Sequence, residues 1–433
     1  RTDGSNNFGS DEQFNPTWSA GAVWHVSEET FMEVVRPVLS RLSLRVATGY
    51  TGNINKTVKP NLMMKYYKNF RISDDENYRM GYINNAPNPK LRWEKTRDVK
   101  VALDFGLWKD RINGIVEAYW RKSKDCVTSE YVPVTTGFFN QSYNTSVLQN
   151  NGVEFSLSVA VLKSKDYNLS VSANVAWNQN KLKKYNSPNT SLALDKYVGY
   201  PMGAVFSGKY EGIDPETGMY KFKLRPDAVT NKDGYLREPN NYYYYLGTSV
   251  APFTGGFNLN FSYKNIGLSV GGSYSVKAKM VDNIESPAGY ELLSGSKLES
   301  IPTPHNDLYR NHLNVKREVR NRWTPENRTG VKYPRLIDAY GKKLGLDLTN
   351  PTLTTITRGA LLEDISYLRI NTIALSYSLP QRVLERINFS SAALNLTLNN
   401  FFTITKYSGI DPEVPGATYP VSRSVTIGLN VGF

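Results

Sequence analysis

Apolar and polar residues alternate along the last positions of the chain. Val425, Ile427, Leu429, Val431 and Phe433 form one set, and Thr426, Gly428, Asn430 and Gly432 lie between them. A period of two places the sets on opposite faces of a strand. A strand of about 9–11 residues with an apolar face toward lipid and a small or polar face toward a lumen is long enough to cross a bilayer. The pattern recurs at 17–26, 42–50, 97–107, 112–122, 153–162, 169–178, 257–263, 268–276, 365–379 and 394–401. In the 365–379 segment the apolar phase shifts between Ile370 and Ile373, which predicts a β-bulge.

The connections alternate in length. Short polar turns follow residues 107, 162, 263 and 379, whereas long excursions follow 50, 122, 178, 276 and 401. A soluble β-sandwich shares the alternation of side chains. It does not share the Ser-, Asn-, Gly- and Thr-rich second faces or the two-sided asymmetry of connections. Those features predict an all-β, antiparallel transmembrane barrel with short periplasmic turns and long external loops. The external segments are expected at about 51–95, 123–151, 179–254, 277–364 and 402–421.

Composition changes this picture little. No run of about 18 apolar residues exists, so no transmembrane helix is expected. The aromatic share of 12%, with 29 tyrosines, suits wet strand ends and aromatic girdles. One cysteine, Cys126, excludes an internal disulfide, and three histidines (His25, His305, His312) make a metal centre an unfavoured reading. No cofactor is expected. The net charge of +13 is scattered and accompanies no nucleic-acid motif, so an electropositive lumen or contact with lipid phosphates fits better. The first residues do not read as a signal peptide, so any export signal is expected to have been removed or to lie upstream.

The long segments contain a small repeat. Lys209-Tyr-Glu-Gly-Ile-Asp-Pro-Glu216 recurs as Lys406-Tyr-Ser-Gly-Ile-Asp-Pro-Glu413. Its Asp-Pro-Glu lacks the alternating oxygen donors of a calcium loop and predicts a proline-fixed turn after a strand.

Several stretches resemble one known family, the SusC-like TonB-dependent transporters of Bacteroidetes outer membranes. They are Asn88-Pro-Lys-Leu-Arg-Trp-Glu-Lys95, Leu103-Asp-Phe-Gly-Leu107, Gln149-Asn-Asn-Gly-Val-Glu154, Tyr210-Glu-Gly-Ile-Asp-Pro-Glu-Thr-Gly218, Phe253-Thr-Gly-Gly-Phe257, Tyr367-Leu-Arg-Ile370, Asn399-Asn-Phe-Phe402 and Lys406-Tyr-Ser-Gly409. The resemblance implies a barrel of about twenty-two strands plugged by an N-terminal domain with a TonB box. It also implies a SusD-like surface lipoprotein as lid and TonB as energy source. The ending, with Thr426, Gly428, Val431 and Phe433, resembles the signal read by the barrel-assembly machinery.

On this resemblance the expected function is outer-membrane import of a large nutrient, an oligosaccharide or a peptide. Tyr242, Tyr243, Tyr244, Tyr245 and Trp323 are candidate ligand-stacking residues, against the plainer reading that they are packed loop aromatics. The rivals are a barrel enzyme of lipase or protease type, for which His25 near Ser27 is a poor start, and a passive porin. With the C-terminus placed in the periplasm, all short turns fall on that side. Eleven strands then form the C-terminal half of a barrel whose other half and plug are expected on a second polypeptide.

Overall fold

The computed structural model of the chain describes residues 1–9, 12–73, 76–138, 140–185, 197–216, 218, 220–228, 242–281, 320–331, 358–415 and 419–433. The chain divides into two compact units, Arg1–Met202 and Gly203–Phe433. All eleven expected strands are present.

The first unit holds β1 (Trp18–Trp24), β2 (Leu39–Asn53), β3 (Glu94–Leu107), β4 (Ile112–Tyr131), β5 (Asn140–Lys163) and β6 (Tyr167–Tyr185). The second holds β7 (Phe253–Tyr263), β8 (Ile266–Val276), β9 (Tyr367–Ser378), β10 (Ser391–Thr405) and β11 (Ser424–Gly432). Within each unit every strand pairs antiparallel with its neighbours in the chain.

Register converts the one-dimensional pattern into faces. In the first unit, Trp24, Leu44, Leu103, Val116, Phe155 and Val175 lie opposite one another across six strands. In the second, Phe261, Leu268, Leu375, Leu396 and Ile427 form the corresponding row. One residue along, Asn260, Ser269, Ala374, Thr397 and Thr426 form the opposite face. The apolar rows are open rather than packed: Ile427 is 72% exposed and Leu429 66%. A soluble sandwich would bury that face against a second sheet; a bilayer supplies the missing apolar surroundings. Two compact apolar clusters lie apart from these rows, Phe8 with Leu91 and Trp93, and Ala278 with Ile365 and Tyr407. No helix among the described residues is long and apolar enough to cross a membrane.

The expected bulge lies at Asn371, skipped between the pairs Ile370–Gly272 and Thr372–Gly271. The short connections are tight where expected. Lys264 takes a left-handed conformation before Asn265, as do Trp108, Lys109 and Asp110 in the turn after β3. The connection after β9 differs from a plain turn, because Gln381–Ile387 forms a short helix, α1. Leu384 is its buried residue, and Asn388 closes it in the left-handed conformation. The segment expected to continue β1 to residue 26 ends at Trp24, where His25 opens a 3₁₀ turn.

The described parts of the long segments carry paired strands. Most of 123–151 is a ribbon, since β4 runs to Tyr131 and β5 starts at Asn140. The 51–95 segment contains the hairpin Met63–Ser73 with Glu76–Asn85. Ala204–Gly208 pairs with Tyr243–Thr248, and Lys279–Val281 with Leu362–Asp364. Backbone pairing continues there without the apolar alternation that marks a strand in the sequence. His305 and His312 lie outside the described residues.

Candidate functional site

The inward face of the first unit carries ion pairs between neighbouring strands. Arg45 on β2 binds Asp104 on β3 through Nε at 2.6 Å and Nη2 at 3.1 Å. Lys100 on β3 binds Glu117 on β4 at 2.9 Å, and Arg121 on β4 binds Asp98 on β3 at 2.9 Å. These residues alternate with the outward apolar set, so the charges face the side opposite lipid.

The long segment of this unit is anchored by the 88–95 motif. Asn88 donates to Ser142 O at 2.6 Å, and its side chain accepts Lys90 N–H at 3.0 Å. Leu91 and Trp93 enter the cluster with Phe8. Arg92 pairs with Asp125 at 2.7 Å. Glu94 accepts Asn53 Nδ2–H at 2.7 Å and Val127 N–H at 2.9 Å. The motif therefore ties β2, β4 and β5 to the segment that precedes β3.

In the second unit the two repeats adopt the same turn. Asp214 Oδ1 accepts Glu216 N–H at 3.0 Å, and Asp411 Oδ1 accepts Glu413 N–H at 2.9 Å. Proline between them has no N–H and holds φ fixed, as the sequence predicts. The second copy is tied to the sheet wall. Arg369, next to Leu368 on β9 and 3% exposed, binds Asp411 at 2.5 Å and Glu413 at 2.8 Å. Its Nε has no partner, and its guanidinium lies 5.8 Å from the Tyr367 ring. Tyr407 of the same repeat packs on Ile365 and Ala278. Ser408 donates its N–H to Glu363 at 2.8 Å and its hydroxyl to the same carboxylate.

Burial by itself would push the Asp411 carboxyl up, but N–H donation from Glu413 and Val421 and the Arg369 guanidinium outweigh it and hold the carboxyl below its ordinary value. A depressed folded pKa contributes stability that is complete above the unfolded value of 3.8 and is lost as pH falls through the lower folded value. Hydrogen exchange at Glu413 and Val421 should therefore remain slow at neutral pH and accelerate only in strong acid. Acceleration already between pH 6 and 5 would contradict this account of the carboxylate.

The five candidate stacking residues are placed unequally. Tyr243, Tyr244 and Tyr245 lie on the strand paired with Ala204–Gly208, and Tyr242 directly precedes it. Tyr244 donates its hydroxyl to Leu224 O at 2.9 Å, and Trp323 donates its indole N–H to Pro215 O at 2.9 Å. Burial raises the Tyr242 hydroxyl pKa. Tyr245 stands 5.8 Å from the Phe206 ring and is 41% exposed. Behind this hairpin, Gly359 approaches Gly208 so closely that a Cβ would sit 1.8 Å from its carbonyl oxygen. Tyr244 and Trp323 thus use their polar atoms to tie the hairpins together, as packed loop aromatics do. Trp323 binds the first repeat turn itself. Sequence reasoning noted the repeated Asp-Pro-Glu and the Tyr367–Ile370 stretch but did not pair Arg369 with Asp411 and Glu413.

Thr426, Gly428 and Val431 lie on β11 opposite Thr397, Asn395 and Ala392. Phe433 is 92% exposed and meets Phe389 edge-on with ring centroids 5.1 Å apart. His25 pairs with Ser43, not Ser27: its Nδ1 lies 3.1 Å from Ser43 Oγ. Ser43 is 5% exposed, a poor position for a nucleophile that must reach an ester or amide.

Residues 1–292 match the family described as TonB dependent receptor-like, beta-barrel. The TonB-dependent receptor P26 of Formosa agariphila is 26% identical, over 100% of this chain and 44% of that protein. The TonB-dependent receptor SusC of Bacteroides thetaiotaomicron is also 26% identical, over 100% of this chain and 41% of that protein. Among solved structures, the RagAB peptide transporter superposes with a TM-score of 0.78 at 26% identity, covering 100% of this chain and 45% of that one. The chain spans less than half the length of these relatives.

Proposed function

Because the chain belongs to the TonB dependent receptor-like β-barrels, a family of the outer membrane, we propose that it forms part of the barrel of a SusC-like importer. In this reading the importer carries a large nutrient, an oligosaccharide or a peptide, inward beneath a SusD-like lipoprotein lid, energised through TonB acting on a plug. The observation that carries the reading is the open apolar face, in register across the strands of each unit, backed by a hydrogen-bonding or charge-paired face. Relatives named as receptors and a peptide transporter support import over catalysis. The short-turn ends and Phe433 face the periplasm, and the long segments face outward and meet the lid.

Tyr245 offers the most open ring of the candidate stacking residues Tyr242, Tyr243, Tyr244, Tyr245 and Trp323, while Tyr244 and Trp323 are held by hydrogen bonds to Leu224 and Pro215. The test is growth of a strain lacking the gene, supplied separately with a tryptic peptide digest and with maltooligosaccharides as carbon source. The importer reading expects loss of growth on one supply, restored by the intact gene. It also expects a surface lipoprotein to co-purify with the full-length protein. Unimpaired growth on both supplies, with no lipoprotein recovered, refutes it.

A further inference from the structure

The outward face of the first unit changes character at the end away from its short turns. Past the apolar rows come aromatic residues: Trp18 and Tyr50 with ring centroids 5.7 Å apart, Trp120, which is 49% exposed, and Trp177. On the same strand faces, at or beyond that level, stand Lys95, Arg97, Lys122, Lys124 and Lys181. Arg97 is directly opposite Lys122, and Lys95 directly opposite Lys124. Gln149 lies between Lys122 and Lys181 in the next register row.

Like charges placed directly opposite on neighbouring strands repel. On the inward face Arg45, Lys100 and Arg121 each have a protein carboxylate. None of the five outward cations forms an ion pair or side-chain hydrogen bond with a described residue. The nearby carboxylate of Asp125 is taken by Arg92. Four of the five are exposed and Lys181 is half-buried. Among the described residues no carboxylate supplies their counter-charge.

We infer that Lys95, Arg97, Lys122, Lys124 and Lys181 form a belt that binds the phosphate groups of a phosphorylated glycolipid in the outer leaflet. Continuity with the lipid-facing rows selects a lipid as the occupant, because aromatic side chains mark the headgroup level and the cations lie at or just beyond it. Charge complementarity selects phosphate. The opposed pairs Arg97–Lys122 and Lys95–Lys124 then share anions instead of repelling. The inference rests on the proposed orientation, with the long segments on the outer side.

The test uses the full-length protein in nanodiscs and counts bound lipid A by native mass spectrometry, with and without its phosphates. The wild-type protein should favour the phosphorylated form by about a hundredfold, a preference that weakens as salt rises. The triple variant Arg97→Gln, Lys122→Gln, Lys181→Gln should bind both forms alike while keeping heat-modifiable migration, the sign of an intact barrel. The pair Lys100→Gln, Glu117→Gln, on the inward face, should leave the preference unchanged. An unchanged preference in the triple variant overturns the inference. So does equal wild-type binding of both lipid forms, or complete displacement by an equal concentration of inorganic phosphate. Lipid binding is read without uptake, so a failed growth assay and a failed belt are told apart.

Discussion

Arginine in place of Leu259 or Val171 should lower the stability of the membrane-inserted protein by about 2–4 kcal/mol, the cost of a cation on the lipid face near mid-bilayer. Leu259 lies opposite Val270 and Val171 opposite Val159, so both belong to the outward apolar rows. Arginine at Asn260 or Ser172, one residue away on the other face, should be much milder. Asn260 accepts a hydrogen bond from Ser269 at 2.9 Å and Ser172 faces Ser158, both on a face already built to hydrogen-bond. Equilibrium unfolding of the full-length protein in lipid vesicles across a denaturant series reads all four. Equal losses at both kinds of position would mean that both faces are buried in protein, and the transmembrane assignment would fall.

The second large effect concerns the buried pair Arg369–Asp411. Asp411→Ala leaves the Arg369 guanidinium 3% exposed, with Nε already unpartnered and only Glu413 remaining. Breaking a buried pair by removing one partner costs about 3–5 kcal/mol, because the surviving charge stays desolvated. Glu413→Ala should stay within about 1 kcal/mol, since that carboxylate is 42% exposed and water replaces it. The double change Arg369→Met, Asp411→Leu should recover part of the loss, because no buried uncompensated charge is left, while the N–H groups of Glu413 and Val421 still lack their acceptor. Hydrogen exchange across residues 405–413 and thermal melting measure the series. If Glu413→Ala were as damaging as Asp411→Ala, or the double variant no better than the single, the buried charge would not be what holds this segment.

The candidate site was partly legible. The repeat announced a proline-fixed turn because its determinants, an aspartate oxygen two residues before an N–H and a proline between, are all local. Its anchoring was not legible. Arg369 reaches Asp411 across 42 residues, and its sequence neighbours show only an arginine at a position that does not face lipid. The Tyr242–Tyr245 run announced aromatic surface, but only the paired hairpin shows Tyr244 and Trp323 spending their polar atoms on Leu224 and Pro215.

What the sequence by itself determined is the set of strands and the character of their two faces. Side-chain direction in a strand alternates residue by residue, and each face meets one medium along its length, so composition at every second position reports that medium. The same locality exposed the bulge at Asn371, where the apolar phase slips. Tertiary structure decided what depends on partners distant in the chain. The ribbon formed by β4 and β5 beyond the apolar rows has no single apolar face, so its strands become recognisable only through pairing. The helix Gln381–Ile387 is too short for its 3.6-residue period to stand out from a turn. Which cation has a carboxylate within reach does not show in a single strand's sequence. Register brings Arg45, Lys100 and Arg121 to carboxylates and sets Arg97 against Lys122, because which charge is neutralised depends on what the neighbouring strand places opposite or diagonal to it.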